Sequence, residues 1–309
     1  MTIAAEAPVT SRGATSVDWL LRPGNTNCGG CGMSLGLSLF GQVLAEERQE
    51  CVLAIPACCG IVAAGAYPTS GYGVPVVATT FASAPAVASG LARVRDLNGE
   101  RHHVVCWAGD GGTYDIGLAT LSAAAERDED ILYVCYDNEI YGNTGGQRSS
   151  ATPAGARTST TPAGKVEAKK DMMAIMAAHR VPYAATLSIA HPDDFARKVR
   201  TALAAAGTRF LLLHSPCPTG WKSEPAESVE LVRLAVASGL FPLYEVWEGR
   251  RYRLNARPDG TDPEEYYRRQ RRFAPAEPGK AGEIDPGAAR RAAEERLAWL
   301  ELLERHYPA

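Results

Sequence analysis

The sequence predicts an α/β fold: a doubly wound, mostly parallel sheet with a helical C-terminal extension. Apolar runs recur at 51–55, 74–80, 102–107, 131–136, 183–189 and 210–214, with segments of helical character between them. Runs that are apolar on both faces, rather than alternating, belong to strands covered by helices on either side. A further observation is where the polar residues fall. Asp110, Asn138, the Cys58-Cys59 doublet and Cys217 each follow directly on one of these runs. In an open parallel sheet that edge is where ligands sit.

The chain has 309 residues, is 46% hydrophobic and carries a formal charge of −3. This allows one large or two modest domains. There is no net basic field, so neither nucleic acid nor an anionic membrane is an expected partner. No apolar run approaches the roughly 20 residues of a membrane helix. The N-terminal stretch lacks a basic segment followed by an apolar one, which points to a cytoplasmic protein. The expected organisation is an arm over 1–20, a ligand-binding domain over 21–222 and an extension over 223–309.

In order, 1–20 has no periodicity. The Gly-rich loop carrying Cys28 and Cys31 leads into a helix at 33–47, then the strand at 51–55 ending in Cys58-Cys59-Gly60. A turn-rich stretch at 67–73 precedes the strand at 74–80. The Ala/Ser/Gly-rich segment 83–95 reads as a closely packed helix. Residues 102–146 form a strand–helix–strand unit, followed by a long Ser/Thr/Pro/Gly loop at 148–165; loops of that length are commonly functional. A helix at 169–179, a strand at 183–189 and a helix from Pro192 to about 206 follow, the last with Asp193 and Asp194 in its first turn. The strand at 210–214 ends in Ser215-Pro216-Cys217. Beyond Trp221 the sequence predicts a helix (228–238), a hairpin (243–254, turning at Glu248-Gly249), a charged helix (263–273), a linker (274–287) and a terminal helix (288–306). This tail reads either as an arm that docks on a neighbouring chain or as a solvated extension.

The strand ends carry the chemistry. One carboxylate (Asp110), one amide oxygen (Asn138) and a backbone carbonyl supply half of an octahedral magnesium sphere, and diphosphate oxygens and water complete it. Backbone N–H groups of Gly111 and Gly112, and of the helix starting near Asp115, would stabilise the anion. Asn143, Thr144 and Gly145 lie just beyond. Gly-Asp-Gly alone is common in turns. Following an apolar strand, with an Asn ending the next strand, it is the pattern of thiamine-diphosphate enzymes.

Eight cysteines are present. Cys51, Cys106 and Cys135 sit in apolar runs and read as small buried residues. Cys28 and Cys31 share a C-x-x-C loop, and Cys58-Cys59 and Cys217 end strands on the edge that carries Asp110. Four thiolates from three loops suit zinc or an iron–sulfur cluster, and the residues alone do not choose. His214, near Cys217, reads as a packed strand residue, and Lys222 as a surface lysine. His103, His179 and His191 carry no partner pattern.

Several stretches resemble the thiamine-diphosphate-binding beta subunit of 2-oxoacid:ferredoxin oxidoreductases, especially the pyruvate type. They are CGGCG at 28–32, AGDGGTYDIG at 108–117, YDNEIYGNTGGQRSSATPAGA at 136–156, KKDMMAIMAAHRVPY at 169–183 and SPCPTGW at 215–221; the similarity spans about 21–255. The resemblance implies a sheet of the thiamine-diphosphate-binding type. It implies magnesium held by Asp110, Asn138 and the main-chain oxygen of Ile140, with Gly109, Gly111, Gly112 and Gly145 around the cofactor. Asn143 and Thr144 would lie near the diphosphate and the reacting ring, as catalytic residues. It also implies a [4Fe-4S] cluster on Cys28, Cys31, Cys217 and Cys59, the member of the doublet that better matches the family position.

The implied reaction is oxidative decarboxylation of a 2-oxoacid, pyruvate first, to acyl-CoA and carbon dioxide. Coenzyme A is the co-substrate, and electrons pass through the cluster to ferredoxin. No residue here matches the carboxylate that activates the aminopyrimidine ring. In the relatives an alpha subunit supplies it, and gamma and ferredoxin-like delta subunits complete the complex. The single chain is therefore expected to be inactive alone. One departure is Ala82-Ser83-Ala84-Pro85 after Phe81, where many relatives place an acidic residue. It makes a bulkier acid such as phenylglyoxylate or a branched 2-oxoacid, with NAD as final acceptor, the second reading. A non-redox thiamine lyase and a zinc-stapled structural subunit are further alternatives.

Overall fold

The computed structural model describes residues 20–65, 70–274 and 286–309. The expected arm up to residue 19, part of the turn-rich stretch at 67–73 and most of the linker at 274–287 lie outside the described residues.

The apolar runs form six parallel strands: β1 (Cys51–Pro56), β2 (Val76–Thr79), β3 (His103–Gly109), β4 (Leu132–Asp137), β5 (Tyr183–Ser188) and β6 (Arg209–His214). The hairpin of β7 (Tyr244–Trp247) and β8 (Arg251–Leu254) pairs antiparallel with β5. The sheet order is β2-β1-β3-β4-β6-β5-β7-β8. The stretch read from sequence as a tail thus supplies two strands of the main sheet. β8 alternates as an edge strand does, with Arg251 and Arg253 exposed and Tyr252 and Leu254 half-buried, whereas β7 is buried at Tyr244, Glu245 and Val246.

The helices between strands are α1 (Gly32–Glu46), α2 (Cys59–Val62), α3 (Ala84–Asn98), α4 (Leu118–Glu126), α5 (Met172–Ala178), α6 (Pro192–Ala204), α7 (Pro218–Trp221) and α8 (Ser228–Ala237). The tail adds α9 (Pro263–Arg268) and α10 (Pro286–His306). Successive residues of β3 explain the two layers. Val105 and Trp107 enter the core under α1 and α6, whereas Val104, Cys106 and Ala108 enter the one under α3, α4 and α5. Cys51, Cys106, Cys135 and His214 are all buried, as expected for packed residues. The helix expected at 169–179 starts only at Met172, where the Asp171 carboxylate accepts from the Ala174 N–H at 2.9 Å and sets the N-terminus. The one expected at 263–273 breaks after Arg268 into a 3₁₀ turn at Arg271–Phe273. No helix among the described residues is long and apolar enough to cross a membrane.

After β3 the chain does not open directly into an α-helix. Gly111–Asp115 makes a π-helical turn, closed by the Ile116 N–H on the Gly111 carbonyl at 3.3 Å, before α4. Such turns widen the backbone and recur at functional sites. Gly117 makes it possible, since a Cβ there would lie 1.9 Å from the Gly112 carbonyl oxygen. Gly117→Ala is expected to lower stability by about 1–3 kcal/mol. The midpoint of urea unfolding should fall at unchanged slope; an unchanged midpoint would show that the turn tolerates the methyl group.

Candidate cofactor site

The strand order turns back at β1, which has β2 on one side and β3 on the other. Ligand crevices open at such points, outside the C-terminal strand ends. The pairing of Ala54 with Cys106 and of Gly109 with Tyr136 brings those ends level. A cavity of about 220 Å³ lies there. It is lined by Gly109, Asp110, Gly111, Gly112, Asn138, Ile140, Asn143 and Thr144, and also by Cys58 and Cys59. Gly145 does not line it; this glycine stands one residue beyond, exposed, with φ +110°.

Asp110 is 1% exposed. The Ser149 hydroxyl donates to its Oδ2. Burial, followed by the neighbouring Asp137, raises its carboxyl well above the ordinary range; Ser149 and Lys169 oppose the shift without cancelling it. A carboxylate so placed calls for a cation beside it. Asn138 Oδ1 accepts from the Ile140 N–H at 3.3 Å, and the Asn138 carbonyl accepts from the Trp221 indole at 2.7 Å. Two rings wall the opening. Tyr141 meets Phe81 edge-on at 6.0 Å and donates to Asp115 Oδ2 at 2.6 Å. Asn143 and Thr144 are exposed at the mouth, where the Thr144 hydroxyl donates to Gln147 Oε1 at 2.6 Å.

Behind the cavity lies a buried charge network. Lys169 reaches Asp137 at 2.6 Å and Glu139 at 2.9 Å, and Arg272 reaches Glu139 at 2.5 Å. Burial works against ionising Glu139, yet Lys169 and Arg272 outweigh it and hold the carboxyl down at about 2. Glu139 has φ +62°, a left-handed conformation that costs a residue with a Cβ on the order of 1 kcal/mol. Tyr114 donates to Asp137 Oδ2 at 2.8 Å from the π-helical turn, tying the network to the loop that carries Asp110.

The cysteines assemble on the same edge. A Cβ placed on Gly142 would lie 3.5 Å from Cys217 Sγ and 3.7 Å from Cys59 Sγ. The Cys28–Cys31 loop is drawn in by the Gly32 N–H on the Pro216 carbonyl at 2.9 Å and by Ser228 Oγ on the Gly30 carbonyl at 2.6 Å. Gly30 is required at that contact, since a Cβ would lie 2.2 Å from the Pro225 carbonyl oxygen and φ is +71°. Burial, followed by Cys217, Cys58, Cys31 and Cys28, pushes the Cys59 thiol up to about 12; Cys217 is pushed to about 11, chiefly by burial. Thiols gathered in this way repel as thiolates unless cationic iron or zinc offsets the charge. Among the described residues, no group of three or more His, Cys, Asp or Glu side chains is arranged to hold a single metal ion.

The doublet divides. Cys58 is 8% exposed and packs in the core below Tyr136, while Cys59 is half-buried beside Cys217. Asp110, Asn138, Ile140, Asn143, Thr144 and Cys59 thus line one cavity, with Cys217 close to Cys59 and Gly145 outside the lining. The sequence reading did not single out Ser149, Lys169, Glu139 or Arg272. Ser149 and Lys169 stand in the RSSAT and KKDMM runs and could have been picked out there; no local signal marks Arg272.

A family profile described as "Thiamine pyrophosphate enzyme, C-terminal TPP binding domain" matches residues 57–214. Pyruvate synthase subunit PorB of Methanothermobacter thermautotrophicus is 45% identical over 260 residues, covering 82% of this chain and 89% of that protein. Ketoisovalerate oxidoreductase subunit VorB of Pyrococcus horikoshii is 44% identical over 266 residues, covering 81% and 84%. Among solved structures, 2-oxoglutarate:ferredoxin oxidoreductase from Magnetococcus marinus superposes with a TM-score of 0.59 at 23% identity, covering 74% of this chain and 84% of that one, a likeness of fold.

Proposed function

The chain belongs to the thiamine pyrophosphate enzymes and, within them, to the PorB and VorB subunits of 2-oxoacid:ferredoxin oxidoreductases; from this premise we propose that it is the thiamine-diphosphate-binding catalytic subunit of a complex converting a 2-oxoacid and coenzyme A to acyl-CoA and carbon dioxide. Pyruvate is the leading substrate. A branched 2-oxoacid comes second, because the VorB relative is as similar as the PorB one. The observation that carries the reading is the meeting of Asp110, Asn138 and Cys59 around one cavity at the β1/β3 crevice.

When bound, thiamine diphosphate supplies the carbanion chemistry of decarboxylation, and an iron–sulfur cluster supplies one-electron acceptance. The chain's own residues bind and orient. Asp110, Asn138 and the Ile140 carbonyl would hold magnesium, and the Gly111 and Gly112 N–H groups would face the diphosphate. Asn143 and Thr144 would stand at the mouth, toward the reacting ring. Cys28, Cys31, Cys59 and Cys217 would hold a [4Fe-4S] cluster, with Cys59 placing it against the cofactor cavity. Cys58, which is buried and packed against Tyr136, would be left out of the cluster. A glutamate from an alpha subunit would complete the thiamine site, and gamma and ferredoxin-like delta subunits would carry electrons onward to ferredoxin.

The test has two arms. The full-length chain, purified anaerobically, should carry about four iron atoms with a broad visible absorption bleached on reduction. Co-purified with its partner subunits it should reduce a viologen dye only with a 2-oxoacid, coenzyme A and thiamine diphosphate all present. Stoichiometric zinc without iron, or dye reduction independent of coenzyme A, would overturn the proposal.

A further inference from the structure

One buried charged side chain near the site comes from outside the matched family region. Arg272 follows α9, is 1% exposed, and is separated from residue 139 by 133 positions. Its guanidinium lies 4.2 Å over the Trp221 ring and donates to Glu139 Oε2 at 2.5 Å. Its Nε donates to Gln270 Oε1 at 2.9 Å, and its carbonyl accepts from the Arg157 N–H at 2.8 Å. The Trp221 indole donates to the Asn138 carbonyl at 2.7 Å. The contacts close a ring: Arg272 to Glu139, along the backbone to Asn138, across to Trp221, and back to Arg272. One side of that ring is the loop behind Asp110 and Asn138. The other is α7, which starts next to Cys217.

We propose that Arg272 is a positioning residue for the cofactor site: by joining Glu139 to Trp221 it holds the magnesium-side loop and the cysteine-side helix in one register. This rests on the functional reading above. A buried guanidinium is expensive to desolvate and persists only where its partners are fixed, so it constrains both of them. Its planar fork allows it to stack on an indole and pair with a carboxylate at once, which a lysine cannot do. The left-handed backbone at Glu139 is held by that pairing and by Lys169 on the other oxygen. Ile140 leans on the same helix, since a Cβ on Gly220 would lie 2.8 Å from Ile140 Cγ2 and 3.2 Å from Cys217 Sγ. A slip of α7 would therefore reach Asn138 and Ile140 together.

The test uses the co-purified complex with Arg272→Met, Arg272→Lys and, as control, Arg271→Met, whose native side chain is 75% exposed. Amide exchange is followed in peptides covering 137–144 and 217–222 without added cofactor, and the KM for thiamine diphosphate is measured at saturating magnesium. For Arg272→Met, exchange should rise at least tenfold in both peptides together. The KM should rise at least tenfold, with kcat at saturating cofactor within threefold of the native value. Arg272→Lys should recover part of both effects, and Arg271→Met should stay within twofold of the native complex. Exchange that rises in one peptide only, or a KM within twofold of native, would overturn the proposal. If Arg272→Met does not fold, the lysine variant decides, since values within twofold of native on both readouts would also overturn it. The exchange arm needs neither cofactor nor cluster. A native complex that binds no thiamine diphosphate would refute the functional reading while leaving the coupling of the two loops measurable.

Discussion

Asp110→Asn lowers kcat/KM of the complex by about 10²–10³-fold or more, the loss expected when an electrostatic clamp on a reacting group is removed. It should leave the cofactor-free fold as stable as the native one or more so. Asp110 is the carboxylate that lines the cavity, and its burial opposes its charge. In the empty protein the ionised form is a liability: a carboxyl whose folded pKa is raised destabilises the fold at pH above its ordinary value and ceases to do so as pH falls. Asparagine keeps the shape and can still accept from Ser149 while removing the charge. Activity and stability should therefore move in opposite directions. Calorimetry of the metal-free chain and magnesium titrations of the complex check this. Loss of activity with an equal loss of melting temperature would mean that Asp110 serves the fold rather than the metal.

The cysteine doublet gives the second large effect. Cys59→Ser should strip iron from the chain and reduce dye reduction at least about 100-fold. Cys58→Ser should keep the iron. The division follows from burial: Cys59 stands beside Cys217 at Gly142, while Cys58 is pushed up by burial and hydrogen-bonded to Tyr136 and nearby backbone. A serine at 58 inherits those partners, so its cost should stay near 1–3 kcal/mol, that of a polar change in a core. Iron per chain and urea midpoints for the two variants decide the matter, and retention of iron by Cys59→Ser would reverse the assignment.

Much of the site was legible because its signals are local. Asp110 and Asn138 are read where apolar runs stop, and a strand's end is fixed by the residues of that strand. The cysteines on the same edge follow once the strands are known to be parallel. The choice between Cys58 and Cys59 was not legible from spacing, because adjacent residues share every sequence coordinate and differ only in which way they point. Gly145 shows the opposite limit. It sits in the quoted motif, yet it is exposed and stands one residue beyond the lining of the cavity.

The charge network was invisible for another reason. Lys169, Glu139 and Arg272 are residues that usually lie on surfaces, and nothing in their neighbours announces burial. The pairing of Arg272 with Glu139 depends on where α9 and the turn after it come to rest. The hairpin behaves similarly: the sequence predicts one at 243–254 turning at Glu248-Gly249, but not the β5 edge it joins.

The sequence by itself determined the class of fold, the identity of the strands and the edge on which the chemistry gathers, because hydrophobic period and strand termini are written in consecutive residues. Only the tertiary structure decided the strand order, the unequal burial of Cys58 and Cys59 and the contacts of Arg272. Those depend on which distant surfaces are pressed together, and burial, which turns an ordinary charge into a constraint, exists only once they are.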